Sequence, residues 1–286
     1  MTVIDAHQHF WNLDRVDYPW LTPDHGVIHR TWEEPDLEDR LDQAGVDHTV
    51  IVQSMDSFAD TEYMIEVADR WPVIAAIVGW VPLDRPDEAA AALDLYAGDP
   101  RIVGIRHLIH EDPDPDWLQR AEVQEGLALL TQHDMTFDVV AVLPRHLEHV
   151  PSVSERHPGL RMVIDHLAKP PIADQGWEPW AGLLRAAAEN PNVYVKLSGL
   201  NTAADWSTWT ADDLRPYVEY SLDLFGPDRM MYGGDWPVSM LAGGYPKVWA
   251  ETQRLLETLA PAERARILGG TATEFYRIQG LGDSDA

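Results

Sequence analysis

Short apolar runs that alternate with amphipathic stretches are the feature that most restricts the fold of this chain. The runs read as continuous apolar segments, which is typical of parallel strands buried on both faces. Amphipathic stretches of helical spacing separate them, and such alternation indicates βα units. The eight runs are residues 3–7, 48–53, 73–81, 102–109, 136–143, 160–167, 193–200 and 229–236. The helical stretches are residues 36–44, 61–70, 88–96, 119–132, 180–189, 212–225 and 246–259, with a shorter one between 143 and 156.

Eight βα units predict an α/β protein with a (β/α)8 TIM-type barrel. An open doubly wound sheet is the alternative, although no Gly-rich phosphate-binding signature follows any run. The 286 residues are expected to form a single domain, 1–286, with an ordered core over 1–276 and a tail over 277–286. The long segment 10–35, rich in Trp, Pro and Asp, is expected to cover the C-terminal mouth of the barrel.

Charge and cysteine content exclude several classes of function. The chain has 21 Lys and Arg against 48 Asp and Glu, a net charge of −27, which disfavours nucleic-acid and membrane partners. It has no cysteine, so disulfides, thiolate metal sites and a cysteine nucleophile are excluded. No apolar stretch approaches the roughly 18 residues of a membrane span, and no signal-peptide pattern is present, so a cytoplasmic protein is expected.

Polar side chains collect where the apolar runs end, which is where TIM barrels place their chemistry. Alternate residues of a strand share a face, so His7 and His9 are expected to bind one ion or one carbonyl oxygen together. An aspartate facing several histidines, such as Asp235, is favoured as the anion and can take a proton from water. A buried core histidine and a helix N-cap are the alternatives for single members. The residues are His7, His9, Gln53, Arg106, His107, Asp138, Asp165, His166, Lys196, Ser198 and Asp235.

Several longer strings resemble one family in the correct order. A His-x-His after the first strand, a His after the sixth and an Asp after the eighth resemble the amidohydrolase superfamily. "IDAHQHFW", "YPWL", "GIRH", "VIDHLAKPPI", "VKLSGL" and "MYGGDWPV" are similar to its branch of sugar-lactone and dicarboxylate-lactone hydrolases. That branch includes L-fuconolactonase-like, L-rhamnonolactonase-like and pyrone-dicarboxylate lactonase-like enzymes, and the likeness covers nearly the whole chain.

The resemblance implies a set of metal or electrophile ligands, with Asp235 also serving as the general base. Many superfamily members close strand five with a histidine and bridge two metals from strand four, whereas this chain has Asp138 and the pair Arg106-His107 there. A two-metal site is therefore not expected. One divalent ion, zinc by ligand type, and a metal-independent site both stay open. The implied ligands and candidate catalytic residues are His7, His9, His166 and Asp235.

The resemblance implies hydrolysis of a small lactone, most simply an aldonolactone such as an L-fucono- or L-rhamnono-lactone. Asp235 would take a proton from water, the histidines would stabilise the oxyanion, and Asp235 would return the proton to the ring oxygen. A metal-dependent decarboxylase and a non-catalytic carbohydrate-binding barrel are the alternatives, and a homo-oligomer stays open. The expected substrate-binding residues are Arg106, His107 and Lys169, with Tyr18, Trp20 and Trp80 offering flat faces to a sugar or packing in the barrel and loops.

Overall fold

Eight parallel strands form a barrel in the computed structural model, which describes residues 2–281. Each strand pairs with the next one along the chain, in the order β1 to β8. The backbone N–H of Asp235 donates to the carbonyl of His7 over 2.8 Å, which connects the last strand to the first. The predicted (β/α)8 barrel is confirmed, and the open sheet is wrong. The strands are β1 Ile4–Gln8, β2 His48–Val52, β3 Ile74–Gly79, β4 Ile102–His107, β5 Thr136–Val139, β6 Met162–Ile164, β7 Val193–Leu197 and β8 Met230–Tyr232.

Helices surround the barrel and bury their apolar faces against it. The helix expected to be short between 143 and 156 extends over the whole of Pro144–Arg156. Its buried Leu147, Val150 and Val153 recur every three residues, so one stripe of the helix packs on the sheet. The helices are α1 Glu34–Ala44, α2 Phe58–Arg70, α3 Pro86–Tyr96, α4 Ala121–Gln132, α5 Pro144–Arg156, α6 Trp180–Ala188, α7 Ala211–Phe225, α8 Gly244–Leu255, α9 Pro261–Ala265 and α10 Thr271–Tyr276. None within residues 2–281 has the length and apolar character that crossing a membrane requires.

The apolar runs of the sequence continue beyond the strands at their C-terminal ends. The run 160–167 contains only three strand residues, Met162–Ile164, and the run 229–236 likewise contains three, Met230–Tyr232. Beyond them the chain leaves the sheet but stays buried. In these segments, hydrophobicity therefore indicates which residues are buried, but it does not indicate where the strand ends.

The N-terminal end of the barrel interior is apolar and is covered by α10. Side chains such as Ile4, Val50 and Met231 form one buried cluster with Phe275 and Tyr276 of that helix. Ile278, in the segment expected to be a tail, is 8% exposed and belongs to the same cluster. The rest of the expected tail, 282–286, lies outside the described residues.

The segment between β1 and α1 lies against the opposite, C-terminal mouth. It has little regular structure beyond one short turn, Pro23–Ile28. Two indole N–H groups fasten it: Trp11 donates to the carbonyl of Arg30 over 2.8 Å, and Trp20 donates to that of Ser54 over 2.7 Å. The second bond joins the segment to the loop after β2, and so fixes it over the barrel.

Candidate active site

Three histidines and one aspartate from three distant parts of the chain converge inside the C-terminal mouth. The Nε2 atoms of His7 and His9 are 3.1 Å apart. Oδ1 of Asp235 lies 3.8 Å from Nε2 of His7 and 3.6 Å from Nε2 of His9. It also lies 4.0 Å from Nε2 of His166. All four side chains are buried, so their chemistry is shielded from bulk water.

Strand β1 is irregular in the segment that carries His7. The pairing of β1 with β2 shifts register between Asp5 and Gln8. Asp5 bonds Tyr245 on α8, whereas His7 bonds Lys196 on β7, although residues two apart share a face in a regular strand. The strand ends at Gln8, so His9 follows it. The two histidines, which lie on either side of the strand end, converge as expected.

In His9 and His166, the ring nitrogen Nδ1, which points away from the cluster, contacts a neighbouring oxygen atom. Nδ1 of His9 lies 2.7 Å from the carbonyl of Val52. Because a carbonyl only accepts, Nδ1 of His9 carries a proton and donates it to this oxygen. Nδ1 of His166 lies 2.8 Å from Oγ of Ser198. Such outer contacts fix the orientation of an imidazole whose inner nitrogen binds a ligand.

His7 is instead supported by a network of buried charges. Nζ of Lys196 lies 3.1 Å from Nδ1 of His7, 2.5 Å from Oδ2 of Asp138 and 3.2 Å from Oδ1 of Asp165. The contacts with His7 and Asp138 are hydrogen bonds, and the contact with Asp165 is an ion pair. Nη1 of Arg106 lies 3.1 Å from Oδ2 of Asp165 and 3.4 Å from Nε2 of His7. Two cations and two carboxylates thus surround His7 without access to water.

Burial and these neighbours shift the pKa values of His7, His166 and Asp235. Burial and the Lys196 ammonium hold the pKa of His7 well below its ordinary 6.5. Burial also lowers the pKa of His166 well below that value, against the opposing effect of Asp235. Burial alone would raise the pKa of Asp235, but His166 and the hydrogen bond from His9 lower it to about 2. At neutral pH His7 and His166 are therefore neutral beside the carboxylate anion of Asp235.

A left-handed turn presents His166 to this cluster. His166, Leu167, Ala168 and Lys169 all have positive φ angles, between 49° and 58°. Non-glycine residues rarely adopt this conformation, and such strain concentrates at functional sites. The indole N–H of Trp180 donates to the carbonyl of Leu167 over 2.7 Å and helps to hold the turn.

Gly199, after β7, allows the backbone to approach the cluster closely. Its φ is 58°, and a Cβ there would lie 2.6 Å from Oδ2 of Asp235 and 2.6 Å from Nδ1 of His166. Only glycine adopts this conformation readily and also leaves that space free. The glycine therefore sets the distance between the β7 loop and the two site residues.

The cluster opens into a cavity of about 270 Å³. Loops after several strands contribute its walls, and apolar side chains line much of it. Its polar lining combines the site residues with groups from the mouth. The lining residues are His9, Trp11, Trp20, His25, Ile28, Ser54, Arg106, Leu108, His110, Glu111, Val140, Val142, His166, Lys169, Asp235, Val238 and Leu241.

Half of the expected substrate-binding residues line this cavity. Arg106, Lys169 and Trp20 do so. Nζ of Lys169 donates to the carbonyl of Gly199 over 3.0 Å and to Oγ1 of Thr202 over 2.8 Å. Burial lowers the pKa of Lys169.

Tyr18, Trp80 and His107 lie outside the cavity lining. The Tyr18 hydroxyl donates to Oδ1 of Asp60 over 2.9 Å, and the Trp80 indole donates to Nδ1 of His107 over 3.0 Å. The His107 ring stacks on Trp117 with centroids 4.1 Å apart. These contacts correspond to the packing alternative, and contact of the three side chains with substrate stays a prediction.

Several residues near the cavity carried no role in the sequence interpretation. His25 and His110 line the cavity from loops, where no periodic pattern singles them out. Lys196, Asp138 and Asp165 were recognised as polar ends of apolar runs, but sequence alone does not reveal that they meet around His7. A lysine inside the buried segment "VYVKLSGL" is the one signal that a partner carboxylate was required.

The converging side chains fit one divalent metal ion. Three imidazole nitrogens and a carboxylate oxygen are a donor set that zinc prefers. Donor atoms of His7, His166 and Asp235 all lie within 4.8 Å of one another. Oδ2 of Asp235 is buried without a hydrogen-bond partner among the described residues. The supported His9 and His166 rings complete the arrangement expected of metal ligands.

Known proteins similar to this chain share its length and its fold. An L-fucono-1,5-lactonase of Burkholderia ambifaria is 42% identical over 282 residues, which cover 96% of this chain and 95% of that protein. An L-fucono-1,5-lactonase of Burkholderia multivorans is 35% identical and covers 96% of both. A crystal structure of a Burkholderia multivorans amidohydrolase with bound zinc superposes with a TM-score of 0.91 at 34% identity, over 97% of this chain and 100% of that one.

Family membership follows from the same comparison. The sequence model of the Amidohydrolase family matches residues 4–278, from β1 to just beyond α10. The match includes every strand of the barrel and all four residues of the converging cluster. The expected resemblance is confirmed, and the chain belongs to the amidohydrolase family.

Proposed function

We propose that this protein is a hydrolase that opens the ester ring of a sugar lactone, with a 1,5-lactone of a 6-deoxy aldonic acid such as L-fuconic acid as the leading substrate. The observation that carries the proposal is the carboxylate of Asp235, which three imidazoles surround beside the cavity of the barrel mouth. Two relatives that are 42% and 35% identical over nearly the whole chain are L-fucono-1,5-lactonases, which supports the substrate class.

Asp235 acts as the general base in the proposed reaction. With a pKa of about 2 it is an anion at neutral pH, and it takes a proton from a water molecule in the cavity. The water oxygen attacks the carbonyl carbon of the lactone. A divalent ion held by His7, His9, His166 and Asp235 would supply a Lewis acid that polarises this carbonyl.

The charge that develops on the carbonyl oxygen needs fixed donors in a dry site. The guanidinium of Arg106 is such a group, because the buried carboxylate of Asp165 orients it beside His7. Trp20 offers a flat aromatic wall to the carbon face of the sugar ring. The cavity is large enough for one monosaccharide lactone, which agrees with a small-molecule substrate.

The test is hydrolysis of a panel of aldonolactones, followed with a pH indicator against a blank without enzyme. We expect L-fucono-1,5-lactone to be hydrolysed, and Asp235→Asn to lower kcat about 10²–10⁴-fold while the protein keeps its fold. Asp39→Asn, which alters an exposed aspartate on α1, is the matched control and should keep wild-type kinetics. Full activity of Asp235→Asn would exclude its role as the base. Release of carbon dioxide from a carboxylated substrate, with no lactone hydrolysis, would favour a decarboxylase.

A further inference from the structure

The ammonium of Lys169 is only partly engaged by the protein. Two of its three N–H donors are bound, by the carbonyl of Gly199 at 3.0 Å and by Oγ1 of Thr202 at 2.8 Å. Both acceptors are neutral, and among residues 2–281 no carboxylate oxygen lies within 4.0 Å of Nζ. One N–H thus remains without a partner among these residues, on a side chain that lines the cavity and makes no ion pair within 4.0 Å.

Arg106, the other basic side chain of the cavity wall, is paired with a carboxylate of the protein. Arg106 binds the carboxylate of Asp165 at 3.1 Å, donates to the carbonyl of Gln53 and approaches His7 at 3.4 Å. Its charge is balanced within the buried network, on the side of the site where His7 lies. Lys169 is therefore available to stabilise negative charge that forms in the cavity away from His7.

Lys169 is also held close to the base. Its anchor, Gly199, is the residue whose Cα faces Oδ2 of Asp235 and the ring of His166. Lys169 and His166 belong to one left-handed turn, in which the N–H of Lys169 donates to the carbonyl of His166 over 2.9 Å. The turn therefore fixes a hydrogen-bond donor and a histidine of the cluster relative to each other.

We propose that Lys169 is a catalytic residue that donates its third N–H to the ring oxygen of the lactone and transfers a proton to it as the C–O bond breaks. This inference rests on the proposed lactone hydrolysis and assigns a step that Asp235 would otherwise have to perform after taking a proton from water. An alkoxide is a poor leaving group, and a fixed cation at the departing oxygen stabilises the charge that develops there.

The atoms and protons of the step balance. Water gives one proton to Asp235 and its oxygen bonds to the carbonyl carbon, which forms a tetrahedral intermediate. The ring C–O bond then breaks, its electron pair goes to the ring oxygen, and the Lys169 proton converts that oxygen to a hydroxyl. The new carboxylic acid returns a proton to the Lys169 amine, and Asp235 releases its proton to solvent. One lactone and one water give one hydroxy carboxylate and one proton.

The first test is the kinetics of Lys169→Met with L-fucono-1,5-lactone. The contact with the ring oxygen strengthens in the transition state, so we expect kcat to fall about 10²–10⁴-fold with KM within about threefold of wild type. Lys247→Met is the matched control, because Lys247 lies over the Trp209 ring outside the cavity lining and should keep wild-type kinetics. A raised KM with unchanged kcat would reassign Lys169 to ground-state binding and overturn the proposal.

The second test measures the ¹⁸O kinetic isotope effect at the ring oxygen of the same lactone. Without the lysine, C–O cleavage becomes slower and more rate-limiting, so we expect a larger normal isotope effect in Lys169→Met than in wild type. An unchanged isotope effect would contradict a role at the leaving oxygen, whatever happens to kcat. A wild-type protein that hydrolyses no lactone would overturn the proposed function together with this step. An active wild type with an equally active Lys169→Met would overturn only the role of Lys169.

Discussion

The carboxylate of Asp5 accepts a hydrogen bond of 2.8 Å from the backbone N–H of Gly234, which joins the first strand of the barrel to the segment after the last one. The same carboxylate accepts from the N–H of His7 at 3.0 Å and from the hydroxyl of Tyr245 at 2.9 Å. Asp235 follows Gly234 directly, so one buried carboxylate connects a histidine of the cluster with the proposed base. The position of Asp235 therefore depends on a residue that does not line the cavity.

Asp5 should make stability depend on pH in a defined direction. Burial raises its pKa from 3.8 to about 6, against the lowering effect of its hydrogen bonds. A raised folded-state pKa means that this contribution to stability is complete below about pH 4 and is lost as pH rises through 6. We expect the stability of wild type relative to Asp5→Asn to increase from pH 7 to pH 4, as measured by urea unfolding. A difference that stays constant over this range would contradict the raised pKa.

Replacing Gly199 by alanine should damage activity more than stability. The new Cβ would fall 2.6 Å from both Asp235 and His166, so these side chains must move. Gly45→Ala is the matched control, since Gly45 also has a positive φ of 67° but a Cβ there meets no atom within 4 Å. We expect both variants to lose about 1–2 kcal/mol of unfolding free energy, and only Gly199→Ala to lose at least about tenfold in kcat/KM. Equal activity in the two variants would argue against a close approach at Gly199.

Ser198→Ala tests the support of His166. The serine Oγ lies 2.8 Å from Nδ1 of His166, and removal of such an outer contact typically costs 10–100-fold in activity or metal affinity. We expect a loss of about that size in kcat/KM. Ser221→Ala removes a serine that is equally buried but bonds the carbonyl of Tyr217 within α7, so its kinetics should match wild type. A similar loss in both variants would point to a general packing effect.

Zinc binding provides a test that is independent of catalysis. After treatment with a chelator, the protein should take up about one Zn²⁺ per chain in a calorimetric titration, because three imidazoles and one carboxylate converge at the cavity floor. His9→Ala removes one ligand and should weaken binding at least about tenfold. Unchanged affinity in that variant would place the ion elsewhere, and absence of binding to wild type would favour direct stabilisation of the oxyanion by the side chains.

The barrel could be predicted because its signal is repeated and local. Eight apolar runs separated by helical stretches leave few arrangements, and the order of the strands follows the chain. The strand ends were less predictable. In the segment 160–167, buried apolar residues continue into a left-handed turn, and hydrophobicity does not distinguish a strand from a buried turn.

In the candidate site, too, some features could be predicted from the sequence and others could not. His7, His9, His166 and Asp235 follow apolar runs, so their convergence could be expected from the topology. The contacts of Lys196 could not, because its partners come from other strands and no local pattern connects them. The rim of the cavity depends on loop conformation, which local patterns do not encode.

The left-handed turn at 166–169 has a consequence for thermal tolerance. Each non-glycine residue in this conformation costs roughly 1–2 kcal/mol relative to a right-handed one. The turn therefore lowers the unfolding free energy of the protein, and a residue better suited to this conformation could restore part of it. The substitution Ala168→Gly would relieve part of this backbone strain without changing the barrel core. Such a change would also loosen the segment that carries His166 and Lys169. Heat resistance and reactivity are therefore opposed at this turn, and a thermostable form of the enzyme would have to gain its stability elsewhere.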